Sequence, residues 1–245
     1  MPRLRYGDEV LGLIPARGGS KSVPLKNLAP LNGWPLIRYV VEAGRRSVEL
    51  GRLFCSTDDH RIAQTCSELG VGVIQRPPAQ ASDDAPVIGA ILHALEVLKD
   101  REGVLPWAVV LLQPTSPFTL PGHIDAVVQE LRADKRARSA QCIAEMPPNH
   151  HAFSQRITEG PYVRFRYPRA RARCFRKQLK PCHYILGTAM ATRTSALFSQ
   201  RNVFATPSRY VEIPSTYALD VDGPLDFKLA QLYLDGGLVE LPERR

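Results

Sequence analysis

Three stretches of this chain combine residue types that do chemistry together. The first is Ile14-Pro15-Ala16-Arg17-Gly18-Gly19-Ser20-Lys21-Ser22-Val23-Pro24-Leu25-Lys26-Asn27. Adjacent glycines let backbone approach a ligand closely, and successive amides in such a turn form an anion-binding concavity. Arg17, Lys21 and Lys26 add three cations, and Ser20 and Asn27 add hydrogen-bonding groups. That set suits a polyphosphate. It is neither a P-loop nor a G-x-G-x-x-G dinucleotide fingerprint. The second stretch, Leu111-Leu112-Gln113-Pro114-Thr115-Ser116-Pro117-Phe118, places one amide and two hydroxyls in a segment stiffened by two prolines. The third is Leu219-Asp220-Val221-Asp222-Gly223-Pro224. On an extended strand Asp220 and Asp222 project to the same face, where they repel unless a cation lies between them. Such oxygen ligands suit Mg²⁺, which keeps waters and binds through one or two carboxylates plus substrate phosphates. Asp222 or Asp226 is also placed to cap the helix that begins at Pro224.

Other residues carry a weaker signal. Arg76-Pro77 follows a short strand, and Ser82-Asp83-Asp84 stands where it would cap the next helix. His150, His151 and His183 with Cys142, Cys174 and Cys182 fit no metal-ligand spacing. His93 falls within a helical period and reads as structural.

The elements that must position these groups alternate in type. Strands are predicted over Val10 to Pro15, Leu53 to Cys55, Val71 to Ile74, Ala108 to Leu112, Ser139 to Ala144, Thr188 to Thr192 and Val211 to Ile213. Helices are predicted over Pro35 to Ser47, from the Ser56-Thr57-Asp58-Asp59 cap cluster to Gly70, over Pro86 to Lys99, Pro121 to Leu131 and Pro224 to Leu234. This rhythm argues for an open, mostly parallel, doubly wound α/β sheet with right-handed crossovers. In strand order 3-2-1-4, strands one and four are neighbours, and the loops at their carboxyl ends flank the ligand crevice. The first two stretches therefore line one site. From Met146 to Pro181 the rhythm breaks without a clear helix period, although Tyr162 to Tyr167 alternates like an exposed strand pair. That segment reads as an arm leaving the sheet.

Composition narrows the class. The chain has 245 residues, 44% hydrophobic and 23% charged, which excludes a disordered chain and suffices for a full core without metal or disulfide. Five cysteines without C-x-x-C spacing argue against a disulfide framework or zinc ribbon. No stretch approaches the roughly 18 to 20 apolar residues of a membrane span, and the N-terminus lacks an apolar signal core. A soluble, cytoplasmic protein without a membrane partner is expected. The net charge is +8, and the segment from Arg156 to Lys180 alone carries nine bases and one acid. Basicity thus belongs to one local feature and not to a nucleic-acid-coating surface, although Arg interleaved with Phe165, Tyr167 and Phe175 also has the composition of a single-strand-binding face.

Taken in order, the three stretches resemble the cytidylyltransferases that activate acidic nine-carbon sugars, the CMP-sialic acid synthetase (acylneuraminate cytidylyltransferase) family. The resemblance spans about Val10 to Leu234. It implies a single Rossmann-like nucleotidyltransferase domain over 1–245, with an insertion at about 146–187 that forms a dimerisation arm reaching into the partner's sugar pocket. It implies that Ala16, Arg17, Gly18, Gly19, Ser20, Lys21, Lys26 and Asn27, with Arg76 and Ser82, bind CTP. It places Gln113, Thr115, Ser116, Arg176 and Gln178 on the sugar acid, and Mg²⁺ on Asp220 and Asp222. Arg17, Lys21, Gln113, Asp220 and Asp222 are the implied catalytic set. The partners implied are CTP, a small acidic sugar and a second copy of the chain, without nucleic acid. The arm departs from the family pattern, with Pro147-Pro148-Asn149-His150-His151 near its start and Leu186-Gly187 where Asn-Gly is usual. Enzymes acting on 3-deoxy-manno-octulosonate carry Arg-Leu-Pro-Gly-Lys in the first loop, where this chain has Ser-Val-Pro-Leu-Lys-Asn, and that acceptor ranks second.

Overall fold

The computed structural model describes residues 4–82, 85–174, 176 and 181–242. In chain order the elements are β1 (Val10–Pro15), β2 (Pro30–Leu31), β3 (Trp34–Pro35), α1 (Leu36–Arg46), β4 (Arg52–Thr57), α2 (His60–Glu68) and β5 (Gly72–Gln75). They continue with α3 (Val87–Glu102), β6 (Ala108–Leu112), α4 (Pro121–Ala133), β7 (Ser139–Glu145), β8 (Arg156–Glu159), β9 (Tyr162–Phe165) and α5 (Pro168–Arg173). The last are β10 (Tyr184–Arg193), α6 (Thr194–Gln200), β11 (Ser208–Glu212) and α7 (Pro224–Asp235).

Seven strands form one sheet in the order β11-β7-β10-β6-β1-β4-β5. Every pairing is parallel except those of β10, which runs antiparallel to both β6 and β7. The half β5-β4-β1-β6 has the expected 3-2-1-4 order. It follows from the sequence because β6 reads Ala-Val-Val-Leu-Leu and is buried on both faces. Ala108, Val110 and Leu112 face α1, α2 and α4 in one core cluster, whereas Val109 and Leu111 face α3 and α6 in another. A third cluster packs α7 and the segment before it onto Leu31, Leu36, Tyr39 and Phe118. Phe118 is fully buried and stacks on Tyr233, so the loop after β6 is pinned at its far end; a side chain of that size contributes roughly 1.5–3 kcal/mol by leaving water. No helix among the described residues is long and apolar enough to cross a membrane.

Three expectations change. The strand expected over Thr188 to Thr192 is the ten-residue β10, beginning at Tyr184 within the stretch expected for the arm. Its register against β7 shifts between Leu186 and Met190, and that irregularity interrupts the period-two pattern. The break from Met146 to Pro181 contains the β8–β9 hairpin, as expected, but also the short helix α5, whose Pro168 occupies its first turn. Finally, α3 begins at Val87 with Pro86 at its N-cap and no side-chain cap. The Ser82 carbonyl accepts from the Ala85 N–H, and Asp83 and Asp84 lie outside the described residues.

Candidate active site

The first stretch leaves the C-terminal end of β1 and is fastened at several points. The Ala16 N–H donates to the Ser56 carbonyl at 3.0 Å, and the Gly18 N–H to Asp58 Oδ1 at 3.0 Å. A Cβ on Gly18 would lie 2.6 Å from Asp59 Oδ2 and 2.7 Å from Asp59 Cβ, so only glycine fits against the start of α2. Asn27 is buried and closes the loop by donating Nδ2 to the Arg17 carbonyl at 3.0 Å. Leu25 takes a left-handed conformation (φ 50°) just before a short turn of 3-10 helix over Lys26–Leu28, which turns Lys26 back across the loop.

The other two stretches are joined to it. The Val221 N–H donates to the Thr115 carbonyl at 2.7 Å, and the Thr115 hydroxyl hydrogen-bonds the Asp220 carboxylate. The Ser22 hydroxyl donates to the Asp222 carbonyl, and Lys26 Nζ lies 3.2 Å from Asp222 Oδ1. Asp220 and Asp222 are not on a paired strand. They lie on an extended segment whose intervening Val221 is fully buried, so both carboxylates still face outward together. Asp226, not Asp222, serves the start of α7: its carboxylate accepts from the Asp222 and Gly223 N–H groups at 3.0 and 2.8 Å. Protein crowded around Asp220 raises its carboxyl above the ordinary value; Thr115 opposes the rise, Asp222 adds to it, and Lys26 opposes it.

These contacts enclose a cleft of about 600 Å³ lined by Arg17, Gly19, Ser20, Lys21, Ser22, Lys26, Asn27, Arg76, Gln113, Thr115 and Asp222, with Pro15, Ala85, Val87 and Pro114. The volume lies within the range of small-molecule sites. Arg76 is buried with its guanidinium on Ser56, donating from Nη2 to the carbonyl at 2.6 Å and from Nε to the hydroxyl at 3.2 Å. Burial lowers its pKa, while the nearby Asp58 carboxylate supports the charge. A guanidinium held this way in a cleft wall is suited to an anionic or polar ligand.

Several expected residues stand elsewhere. Ala16 is buried in the core, and Gly18 packs on Asp59, so both shape the loop without lining the cleft. Ser116 is buried beneath the loop, where its carbonyl accepts from the Thr119 hydroxyl at 2.8 Å. Ser82 is exposed outside the lining, as is Arg176, and Gln178 lies outside the described residues. The arm's rings are engaged by its own arginines: Arg156 and Arg171 stand over Phe165 at 4.5 and 5.3 Å. Among the described residues no group of three or more His, Cys, Asp or Glu is arranged to hold a metal. Asp222 therefore offers an oxygen donor to the cleft, and Asp220, exposed two residues before it, stands beside the cleft without lining it. That fits an ion which completes its shell with water and phosphate, and does not fit a protein-caged one.

Sequence reasoning missed Ser56 and Asp58. Ser56-Thr57-Asp58-Asp59 reads as a helix cap, and Asp59 does cap α2, accepting from the Arg61 and Ile62 N–H groups. Asp58 instead holds the first loop, and Ser56 holds Arg76. The doubled aspartate was the available signal, since one cap needs one carboxylate.

The sequence profile of a family described as "Cytidylyltransferase" matches residues 11–216. The chain is 26% identical over 232 residues to the N-acylneuraminate cytidylyltransferase of Streptococcus agalactiae, covering 93% of this chain and 54% of that protein. It is 26% identical over 230 residues to the CMP-N,N'-diacetyllegionaminic acid synthase of Legionella pneumophila, covering 92% and 96% respectively. The chain thus spans about half the length of the streptococcal relative. Among solved structures, a CMP:2-keto-3-deoxy-manno-octonic acid synthetase complexed with CTP superposes with a TM-score of 0.68 at 18% identity, covering 94% of this chain and all of that one. The fold is the α/β fold expected from the sequence.

Proposed function

The chain belongs to the cytidylyltransferase family, and from that membership we propose that it transfers CMP from CTP to a nonulosonic, sialic-type sugar acid. The anomeric hydroxyl oxygen attacks the α-phosphorus, the bond to the β-phosphate oxygen breaks, and pyrophosphate leaves. One observation carries this reading: a single cleft gathers the cationic loop, Arg76, the Gln113–Thr115 segment and Asp222. The relatives named for N-acylneuraminate and legionaminic acid support the acceptor class.

In this reading Arg17, Lys21 and Lys26 neutralise the β- and γ-phosphates, and the amides of Gly19 and Ser20 hold their oxygens. Gln113, Thr115 and Ser116 orient the acceptor, the last through the shape it gives the loop. Arg76 faces the nucleotide, anchored from behind by Ser56. Asp220 and Asp222 would hold Mg²⁺, which when bound with nucleotide supplies phosphate charge neutralisation and a more acidic attacking hydroxyl. Arg176 and Gln178 would clamp the sugar carboxylate across a homodimer whose contact is the arm, where Tyr162 and Val163 are exposed at 77% and 63%. We place the reaction in the cytoplasm with its nucleoside triphosphate donor.

The test is release of pyrophosphate by purified protein given CTP, Mg²⁺ and a panel of sugar acids. Turnover with at least one nonulosonic acid is expected. Turnover with 3-deoxy-manno-octulosonate alone would overturn the acceptor, and none with any acid would overturn the reaction.

A further inference from the structure

The acidic couple already has a cation. Lys26 Nζ lies 3.2 Å from Asp222 Oδ1. The two partners differ in setting: the lysine side chain is 13% exposed and the aspartate 79%. The ammonium is therefore held from the protein side, with Asp222 reaching it from the open side. The Ser22 hydroxyl fastens the same loop to the Asp222 carbonyl, so this meeting of residues 22–26 with 222 is a two-point contact and not a stray rotamer. Two carboxylates turned to one face need a positive charge between or beside them. For Asp222 this lysine provides it.

We propose that Lys26 is an exchangeable internal counter-ion. Without nucleotide it stands against the acidic couple and keeps a divalent ion off. When a metal–nucleotide complex enters, the phosphates attract the ammonium, and Asp222 is released to the incoming ion. The ion thus arrives with the nucleotide and not ahead of it. This rests on the reading that Asp220 and Asp222 are the metal ligands, and it adds that one residue of the phosphate loop governs their occupancy. The physical basis is plain. A lysine 3.2 Å from the oxygen a metal must take repels a divalent ion and competes for its lone pairs. Even with water-like screening, that repulsion corresponds to an affinity loss on the order of tenfold.

The test is Mn²⁺ binding to nucleotide-free protein, followed by the loss of the free-ion electron paramagnetic resonance signal. Wild type should bind Mn²⁺ weakly. Lys26→Met and Lys26→Gln should bind it about tenfold more tightly, and Lys26→Arg, which keeps the charge, should stay near wild type. Circular dichroism confirms that each variant is folded, and the two neutral variants check each other. Equal or weaker Mn²⁺ binding in both folded neutral variants overturns the proposal. Asp222→Asn in the Lys26→Met background separates the two levels. If it abolishes the gained site, the acidic couple is the ligand. If tight binding survives that change, the metal assignment itself fails.

Discussion

Asp222 carries three contacts at once: its carboxylate meets Lys26, its carbonyl accepts from Ser22, and its N–H donates to Asp226. Replacing it with Asn keeps the backbone contacts and removes only the charge. The expected result is a fall in kcat/KM for pyrophosphate release of roughly a hundred- to a thousandfold, with little change in melting temperature. Unchanged turnover would remove this aspartate from the chemistry. Gly18 offers the contrasting case, because it does not line the cleft. Gly18→Ala drives a methyl into Asp59, so denaturant titration should show a loss of about 1–3 kcal/mol. It should also raise the KM for CTP, since the loop's amides move with it. A variant as stable as wild type would mean that the loop is not seated on α2. At this scale the sequence was informative about types and poor about partners. Arg17, Lys21, Lys26, Asn27, Arg76, Gln113, Thr115 and Asp222 all reach the cleft; each was visible from its chemistry, and all but Asp222 from a place after a strand. That Lys26 faces an aspartate 196 positions away was not visible, because such pairings are set by how α7 and the segment before it pack on Leu31, Leu36, Tyr39 and Phe118.

Helix α4 depends on a histidine that has to remain neutral. His123 Nδ1 accepts the Leu120 N–H at 3.2 Å and meets the Thr188 hydroxyl at 3.1 Å, which ties the start of α4 to β10. Burial pushes its pKa down from 6.5 to about 4. The folded chain therefore takes up this proton less readily than the unfolded one, so stability is fully present above pH 6.5 and is lost as pH falls toward 4. At about 1.4 kcal/mol per unit the loss reaches about 3 kcal/mol. Asp59, held down to about 2 by its ion pair with Arg61, titrates below this window. Urea midpoints measured from pH 7 to 4.5 should fall in wild type and fall less in His123→Gln. Parallel declines would exclude His123 as the cause. The elements themselves were largely readable, because β1 and β6 are short continuous apolar runs and α1 and α4 carry a helical period. β10 was misjudged at its start, where the Leu186–Met190 irregularity hides alternation, and α5 was missed because six residues are too few to show a helical period.

The whole molecule brings two distant parts of the chain to one edge of the sheet. The loops after β1 and β6 meet there because those strands are neighbours, with Leu13 opposite Leu111. The acidic couple joins them because Val221 is buried against Phe118 and its neighbours. The same carboxyl edge of the sheet bears the arm, which leaves the end of β7 two strands from β6 and closes its neck where the Met146 N–H meets the His183 carbonyl at 2.8 Å. Its exposed Tyr162 and Val163 predict that sedimentation gives twice the 27.2 kDa chain mass. Asp at both positions should yield monomers with an elevated KM for the sugar acid and an unchanged KM for CTP. Monomeric wild type would remove the arm from the sugar site. The 3-2-1-4 half of the strand order was legible from the β-α alternation, whereas the antiparallel β10 between β6 and β7 and the arm's placement were not, since an insertion without a buried face leaves little pattern to read.

All of this converges on where a nucleotide lies. A crystal structure of the protein with CTP and Mg²⁺ is the most direct measurement. The triphosphate should rest on Arg17, Gly19, Ser20 and Lys21, with the metal bound by Asp220 and Asp222 on the α-phosphate side. CTP bound elsewhere, or a metal that leaves both aspartates untouched, would contradict it.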